Sequence, residues 1–413
     1  MTSNVKKKLL WLSTISFMLA SFYSLLVLGD YFIANYVQGM QEDLNPSKAQ
    51  LIELERSIFE DQPQRKIAIS KGFKPMIFPA AIEDYKPLRD LSIKLGIAPL
   101  APQPNTPLYF CNEGYGMITY TTDKFGFRNA NNLWDSKIDL VLIGDSYAHG
   151  ACVEENSTIS QILLPHLKVL NLGTWGNNPI HYAAIAKTFI SRIKPKSVAI
   201  IFYANDNGEG NRDSIFYRQY FENQSIYFDE NNDKEPSHVL LQFYNESEPI
   251  VQSILNAEMK AAPIPKHKSG WIRLKKYLGL PHLRLVGNKL IEDIKLKAEI
   301  PFSSKLAIDT LVETCKVNHC QPIIVWIPNS EFWRPDSRAK SYANLLLGYS
   351  KVRKVTFVDT TQVLLSLGNR AYAEKGPHLS PQGYELVAQQ ILKALPQPTE
   401  TALINRQFGE NRD

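Results

Sequence analysis

A serine follows the first continuous apolar run that predicts a buried strand. Residues 138–143 form this run, which is typical of a strand covered on both faces. Gly144-Asp145-Ser146 come directly after it. Because parallel sheets bind ligands beyond the carboxyl ends of their strands, Ser146 is placed to meet a substrate. It would also open the next helix, whose dipole favours negative charge there. The position predicts a nucleophile; the alternative is a serine that only caps the helix.

A serine needs a base to act as a nucleophile at neutral pH, and His378 is placed to be that base. It lies in the segment 376–381 (GPHLSP), immediately before the last predicted helix. A loop at the start of this helix can reach across the top of the sheet. The other histidines lack this context, and His149 is interpreted as a residue of the first helical turn after Ser146.

Two further segments carry hydrogen-bond donors beside the predicted serine. Gly176 follows the second predicted strand in the segment 171–177 (NLGTWGN), and Asn205 follows the third. The backbone N–H groups of Ser146 and Gly176, with the side-chain amide of Asn205, would form an oxyanion hole. Each residue alone is also an ordinary turn former. Their joint placement favours the oxyanion hole.

Four ordered blocks resemble the SGNH, or GDSL-like, hydrolase family. The blocks are Gly-Asp-Ser at 144–146, the glycine after the second strand, Asn-Asp at 205–206 and His-Leu-Ser-Pro-x-Gly at 378–383. The resemblance implies that Ser146 is the nucleophile, that His378 is the base, and that Ser146, Gly176 and Asn205 form the oxyanion hole. The segment 120–129 (YTTDKFGFRN) also resembles one that precedes the Gly-Asp-Ser block in membrane-anchored members.

The resemblance breaks at the residue that should orient the histidine. The family usually has an aspartate three residues before the histidine, and this chain has Lys375 there. A lysine can neither orient an imidazole nor stabilise its cation. We expect Glu374 to replace the aspartate. The next alternatives are a Ser-His dyad held by a backbone carbonyl, Asp359 at the end of the fifth predicted strand, and loss of activity.

Strands and helices alternate around these blocks, which favours a parallel sheet covered on both faces. Strands are predicted at 138–143, 169–172, 198–203, 322–327 and 354–359, and helices at 157–167, 179–193, 304–317, 337–347 and 381–395. Together with the resemblance, the pattern predicts an α/β class fold. It would be a three-layer α/β/α sandwich with about five parallel strands, preceded by one N-terminal transmembrane helix.

The chain divides into four predicted regions. These are cytoplasmic lysines with a transmembrane anchor (1–36), a stalk with a Pro-rich wrapping segment (37–107), the hydrolase-like domain (108–400) and a tail (401–413). The domain carries an insertion at 208–301 that begins with many aromatic residues. These rings could stack on sugars; the alternative is a packed subdomain.

The N-terminus predicts a single-pass anchor. Three lysines at 6–8 precede an apolar run at 9–28, which is long enough to cross a membrane as one helix. The positive-inside rule keeps the lysines cytoplasmic, so the remaining chain would be periplasmic or extracellular. A cleaved signal peptide is the alternative; its apolar core is usually shorter, and no convincing cleavage site follows Leu28.

The four cysteines suit an oxidising compartment and permit two disulfides. We expect Cys315–Cys320 and Cys111–Cys152, and four unpaired thiols are the alternative. The cysteine and histidine spacings indicate no metal site, and no cofactor is implied. The net charge of +5 is small for 413 residues, and no basic stripe indicates a nucleic-acid partner.

These features together predict a serine esterase or acyltransferase. Its Ser146 acyl-enzyme would act on O-acyl esters, chiefly O-acetyl esters, of cell-envelope glycans. The alternatives are a lipid esterase and a catalytically degenerate SGNH-like protein that binds polysaccharide during envelope assembly. Lys375 favours the degenerate protein, whereas the retained Ser146, Gly176, Asn205 and His378 favour the enzyme. The expected partners are an acylated glycan or lipid and the membrane, and no protein partner is indicated.

Overall fold

The computed structural model describes residues 3–42, 62–208, 215–222, 224–260, 299–329 and 337–396. The chain forms two units, residues 1–53 with 262–298 and residues 54–261 with 299–413. The described part of the first unit is one helix, α1 (Ser3–Glu42). Within α1, the 21-residue segment Ser13–Ile33 is long and apolar enough to cross a membrane. An N-terminal signal sequence can have the same length and composition.

The Pro-rich region of the second unit and the segments on either side of it fold into short helices and strands. They are α2 (Gln62–Ser70), β1 (Lys74–Pro75), α3 (Pro79–Asp84), α4 (Lys86–Leu95), β2 (Pro107–Tyr109) and β3 (Thr119–Thr121). β2 pairs with β1 in parallel and with β3 antiparallel. The structure differs here from the extended segment that the prolines predict. Pro79 and Pro87 stand in first helical turns, where the missing N–H leaves no hydrogen bond unmade.

A parallel five-stranded sheet forms the centre of the second unit. Its strands are β4 (Leu140–Gly144), β5 (Val169–Asn171), β6 (Ser197–Tyr203), β7 (Gln321–Ile327) and β8 (Thr356–Asp359). They lie in the order β5-β4-β6-β7-β8, and every pairing is parallel. β4, β5 and β6 are buried along their whole length, as their continuous apolar runs predict. The predicted α/β class with five parallel strands is confirmed.

Helices follow the strands and cover both faces of the sheet. They are α5 (Ser146–His149), α6 (Ile159–Leu163), α7 (Pro179–Ile193), α8 (Ile215–Glu222), α9 (His238–Lys260), α10 (Phe302–Asn318), α11 (Ser337–Arg353), α12 (Thr361–Leu367) and α13 (Pro381–Ala394). Side chains alternate between the two faces of a strand. Val141 and Ile143 accordingly belong to the core that contains α7 and α10. Leu140 and Leu142 belong to the core that contains α6 and α13. The three layers of the prediction are therefore present.

The described part of the insertion packs into the core. Phe216, Tyr220, Tyr227 and Phe228 are buried, and the ring of Phe228 lies 5.4 Å from that of Phe189 in α7. Rings in this position cannot stack on a sugar, so the alternative of a packed subdomain fits these four residues. The later part of the insertion (261–298) and most of the predicted stalk (43–61) lie outside the described residues.

Candidate active site

Ser146 begins α5, two residues beyond the end of β4. The chain turns tightly here because Gly144 has no side chain: a Cβ atom would lie 2.7 Å from Cβ of Ala148 and 2.9 Å from O of Ile201. Asp145 caps the helix by accepting a hydrogen bond from the N–H of Tyr147 at 2.9 Å. Burial raises the pKa of the Asp145 carboxyl to about 6. The turn fixes Ser146 at the carboxyl edge of the sheet.

His378 reaches Ser146 from the loop before α13. Its Nε2 lies 2.9 Å from Oγ of Ser146. The hydroxyl of Tyr147 donates to the carbonyl of Pro377 at 2.7 Å, which ties the histidine loop to the helix of the nucleophile. Ser380 caps α13 by accepting from the N–H of Gly383 at 3.0 Å. The structure therefore brings together Ser146 and His378, as the sequence predicts.

The carboxylate beside His378 belongs to Glu113. Its Oε1 lies 2.6 Å from Nδ1 of His378, and its Oε2 accepts from the backbone N–H of the same histidine at 3.2 Å. Only 1% of Glu113 is exposed, and a polar group buried to this extent needs hydrogen-bond partners. With a proton on Nδ1, Nε2 has a lone pair that can accept the proton of Ser146.

The prediction that Glu374 replaces the usual aspartate is wrong, because Nδ1 of His378 faces Glu113. Glu374 and Lys375 are exposed in the turn before the histidine, and the backbone N–H of Lys375 donates to the carbonyl of Glu113 at 3.3 Å. Asp359 is exposed at the end of β8 and accepts from the N–H of Thr361 at 2.9 Å. The Ser-His dyad is likewise not what the structure shows.

Glu113 lies outside every block that resembles the family. It belongs to the loop between β2 and β3, where Asn112 Oδ1 accepts from the N–H groups of Gly114 and Gly116 at 3.0 and 3.1 Å. One sequence signal did point to this loop. A disulfide between Cys111 and Cys152 places residue 113 near the turn that follows Ser146.

Both expected cysteine pairs are present as disulfides. Cys111 is bonded to Cys152 with a Cα–Cα distance of 5.2 Å, and Cys315 is bonded to Cys320 with a Cα–Cα distance of 4.5 Å. Ligand atoms of Glu113, Cys152 and His378 lie within 4.8 Å of one another, as the ligands of a metal ion would. However, the sulfur of Cys152 is already bonded to Cys111 and is no thiolate ligand. The group fits a hydrogen-bonded triad beside a disulfide.

Gly176 lies in the loop that continues β5 along the end of β4. The N–H of Leu172 donates to the carbonyl of Leu142 at 2.7 Å, and the N–H of Thr174 donates to that of Gly144 at 3.1 Å. Gly176 itself has φ of +75°, and a Cβ atom there would lie 2.8 Å from the ring of Phe78. A side chain would be strained at this position for both reasons. The loop carries Gly176 to the edge of the sheet at which Ser146 stands.

Asn205 lies in the short 3-10 turn Ala204–Asp206, directly after β6. Ile201 of β6 is the register partner of Gly144, so this turn leaves the same edge of the sheet as Ser146. Asp206 fixes the turn: it accepts from the hydroxyl of Tyr182 and the N–H of Tyr203, each at 2.8 Å. Burial and the neighbouring charge of Asp145 raise the pKa of the Asp206 carboxyl. The roles of Gly176 and Asn205 as oxyanion donors remain predictions.

His149 is buried at the end of α5 and takes no part in the contacts of Ser146 that are described above. Its Nε2 lies 2.8 Å from the hydroxyl of Tyr120, and its ring contacts those of Tyr120 and Phe110 edge-on. Burial, followed by the charges of Arg128 and His378, holds the pKa of His149 well below its usual value. A neutral ring in the packing around α5 agrees with its interpretation as a first-turn residue.

Comparison with known proteins gives matches among solved structures alone. Neither a protein-family model nor a curated protein matches the chain, whereas 36 chains of solved structures do. A G-D-S-L family protein from Desulfitobacterium hafniense is 14% identical with a TM-score of 0.36, over 62% of this chain and 99% of that one. A mutant acetyl-xylooligosaccharide esterase from Geobacillus is 16% identical with a TM-score of 0.35, over 64% and 96%. A GDSL-like lipase from Bacteroides thetaiotaomicron is 14% identical with a TM-score of 0.32, over 62% and 87%. Similarity this low does not carry chemistry from one protein to another.

Proposed function

We propose that this chain is a serine hydrolase that acts on ester bonds, with Ser146, His378 and Glu113 as its catalytic triad. The observation that carries the proposal is one continuous line of contacts. Glu113 Oε1 lies 2.6 Å from Nδ1 of His378, and Nε2 of the same ring lies 2.9 Å from Oγ of Ser146. Both distances are those of hydrogen bonds that transfer or stabilise a proton.

The proposed reaction begins when Ser146 Oγ attacks the carbonyl carbon of an ester while His378 Nε2 takes the hydroxyl proton. The carboxylate of Glu113 stabilises the imidazolium that forms. The carbonyl oxygen becomes an oxyanion, which the N–H groups of Ser146 and Gly176 and the amide of Asn205 would stabilise.

Collapse of this intermediate breaks the bond to the alcohol, which leaves with the proton from His378. An acyl-enzyme remains on Ser146. A water molecule, deprotonated by His378, then releases the acid, or the hydroxyl of an acceptor takes the acyl group instead.

The position of Glu113 weakens the main argument for a catalytically degenerate protein. Lys375 favours that alternative because it removes the carboxylate that the family places before the histidine. Glu113 supplies a buried carboxylate to the same ring nitrogen from another part of the chain. A buried carboxylate costs stability unless it is paired, and its pairing with His378 is the arrangement that a working triad requires.

We propose O-acyl esters of cell-envelope glycans, chiefly O-acetyl esters, as the substrates. Two disulfides suit an oxidising compartment, and α1 contains a stretch that is long enough to serve as an anchor. An esterase tethered outside the cytoplasm meets envelope glycans and lipids.

The experiment compares acetate release from O-acetylated envelope polysaccharide with fatty-acid release from phospholipid vesicles. The full-length protein is assayed beside Ser146→Ala. Acetate release that is lost in the variant supports the proposal, and transfer of acetyl to an added glycan would make the protein a transferase. Fatty-acid release as the faster reaction favours the lipid esterase. Polysaccharide binding without turnover of either substrate favours the degenerate protein.

A further inference from the structure

Cys111 and Cys152 connect the segment of the acid to the segment of the nucleophile. Cys111 stands two residues before Glu113, and Cys152 stands six residues after Ser146. Resting on the proposed function, we propose that this disulfide is a positioning element of the active site that holds Glu113 against His378. Its reduction therefore lowers turnover in a protein that stays folded.

The disulfide lies against the triad itself. Sγ of Cys152 is 3.7 Å from Nδ1 of His378, the same ring nitrogen that Glu113 contacts at 2.6 Å. Both cysteines are buried, in a small cluster that also contains Phe110 and Ala151. The disulfide and the carboxylate thus occupy adjacent positions beside one edge of the imidazole.

The nucleophile side of this link is held firmly. The Arg128 guanidinium donates to the carbonyls of Gly150 and Val153 at 2.8 and 3.1 Å, on either side of Cys152. The hydroxyl of Tyr384 in α13 donates to the carbonyl of Ala151 at 3.3 Å. These contacts tie residues 150–153 to two other elements, so the disulfide has a fixed point of attachment.

Hydrogen bonds from a second loop hold the acid side: His378 donates to the carboxylate of Glu113, and the N–H of Lys375 donates to its carbonyl at 3.3 Å. Glu113 lies in a loop whose next two residues, Gly114 and Tyr115, are exposed. A buried carboxylate gains free energy by moving into water unless its hydrogen bonds hold it. Once the disulfide is broken, the loop can turn outward and expose Glu113 to water. This movement leaves the pairing of β2 with β3 intact, because the paired residues lie on either side of the loop. The covalent bond opposes this movement.

The second disulfide supplies a matched control. Cys315 lies in α10 and Cys320 immediately precedes β7. That position is at the amino edge of the parallel sheet, opposite the carboxyl edge at which Ser146 stands. We expect removal of this pair to leave the acid loop unaffected.

The test is a double-mutant cycle on the full-length protein, with p-nitrophenyl acetate as substrate. We expect Cys111→Ala/Cys152→Ala to lower kcat about tenfold or more with little change in KM, because the loss acts on the transition state. In a Glu113→Gln background the same cysteine changes should lower kcat by less than about twofold, because coupled residues give non-additive effects. Cys315→Ala/Cys320→Ala should keep the wild-type kcat. Equal losses in the presence and absence of Glu113, or equal losses from the two disulfides, would overturn the proposal.

Two further measurements keep the proposal open to refutation. Circular dichroism follows the fold on titration with a thiol reductant, and general unfolding on reduction would make the disulfide a structural staple and overturn the proposal. The proton on Nδ1 of His378, held by Glu113, should give a strongly deshielded NMR resonance that reduction of Cys111–Cys152 removes. This resonance is observed without any turnover. If the resonance is present but the wild-type protein is inactive, the proposed esterase activity is refuted and the proposed role of the disulfide is not. If the resonance persists after reduction, only the proposed role of the disulfide is refuted.

Discussion

Glu113 accepts two hydrogen bonds from His378, one from ring nitrogen Nδ1 at 2.6 Å and one from the backbone N–H at 3.2 Å. The two residues are 265 positions apart in the chain. The double contact fixes both the imidazole and the loop that carries it, so one carboxylate orients the base and stabilises its cation.

Replacement of this carboxylate should impair the chemical step. Glu113→Gln removes the negative charge while preserving the shape of the side chain, and we expect kcat to fall by about 10²- to 10⁴-fold, as is usual when a triad acid becomes an amide. Glu374→Gln changes an exposed residue of the same type and should stay within about twofold of the wild type. Steady-state kinetics with p-nitrophenyl acetate measure both. A large loss in the Glu374 variant, with Glu113→Gln unaffected, would reassign the acid.

Gly376 leaves the space that the carboxylate of Glu113 occupies. A Cβ atom at Gly376 would lie 2.0 Å from Cδ of Glu113, so Gly376→Ala should displace the acid and lower kcat nearly as much as Glu113→Gln. Gly348 in α11 has open space around its Cα. Gly348→Ala should keep full activity and raise stability by about 1 kcal/mol through its higher helix propensity. Full activity in Gly376→Ala would show that activity does not require the carboxylate of Glu113 at its position beside His378.

The predicted oxyanion hole can be tested at its side-chain donor. Asn205→Ala should lower kcat by about 10²- to 10³-fold with little effect on KM, because the donor binds the charge that develops in the transition state. Asn207→Ala, two residues further along, is the matched control and should behave as the wild type. A change confined to KM would indicate that Asn205 binds substrate in the ground state instead.

His149 should make stability depend on pH. Its pKa is held well below the usual value of 6.5 by burial, so the unfolded chain binds a proton that the folded chain excludes. Stability from this residue is present above about pH 6.5 and is lost as the pH falls. Burial raises the pKa values of Asp145 and Asp123 to about 6, so the folded chain binds protons there that the unfolded chain releases. These two residues therefore add stability as the pH falls below about 6.

The contribution of His149 to stability is therefore measured by comparing a His149 variant with the wild-type protein. Below pH 6.5, the pH slope of the unfolding free energy should be smaller in His149→Gln than in the wild type, by up to about 1.4 kcal/mol per pH unit. Urea unfolding at a series of pH values measures both slopes. Equal slopes would mean that His149 takes up a proton in the folded state as readily as in the unfolded chain.

Ser146 and His378 could be predicted because strong local signals place them. An apolar strand precedes one, and a proline-initiated helix follows the other. Proline also accounts for boundaries elsewhere: α7 begins at Pro179 as predicted, whereas α6 ends at Leu163, short of the predicted residue 167, since Pro165 has no N–H to donate to the carbonyl of Gln161.

Glu113 could not be predicted from local pattern. Its loop has no helical or strand periodicity of its own, and its partner lies in a distant block of the chain. The choice of Glu374 relied on nearness in sequence, but a buried carboxylate needs a site closed to water, and Glu374 is exposed. The pairing of Cys111 with Cys152 is the long-range signal that places the loop of Glu113 beside the turn after Ser146.

The most direct measurement of the central claim is covalent labelling of the full-length protein with a fluorophosphonate probe. A nucleophilic serine with a positioned base reacts with such a probe, whereas an ordinary serine does not. The structure predicts one labelled site in the wild-type protein, mapped to Ser146 by peptide mass spectrometry, and no labelling in Ser146→Ala or His378→Ala. Labelling that persists in Ser146→Ala, or its absence from a folded wild-type protein, would contradict the catalytic role of Ser146.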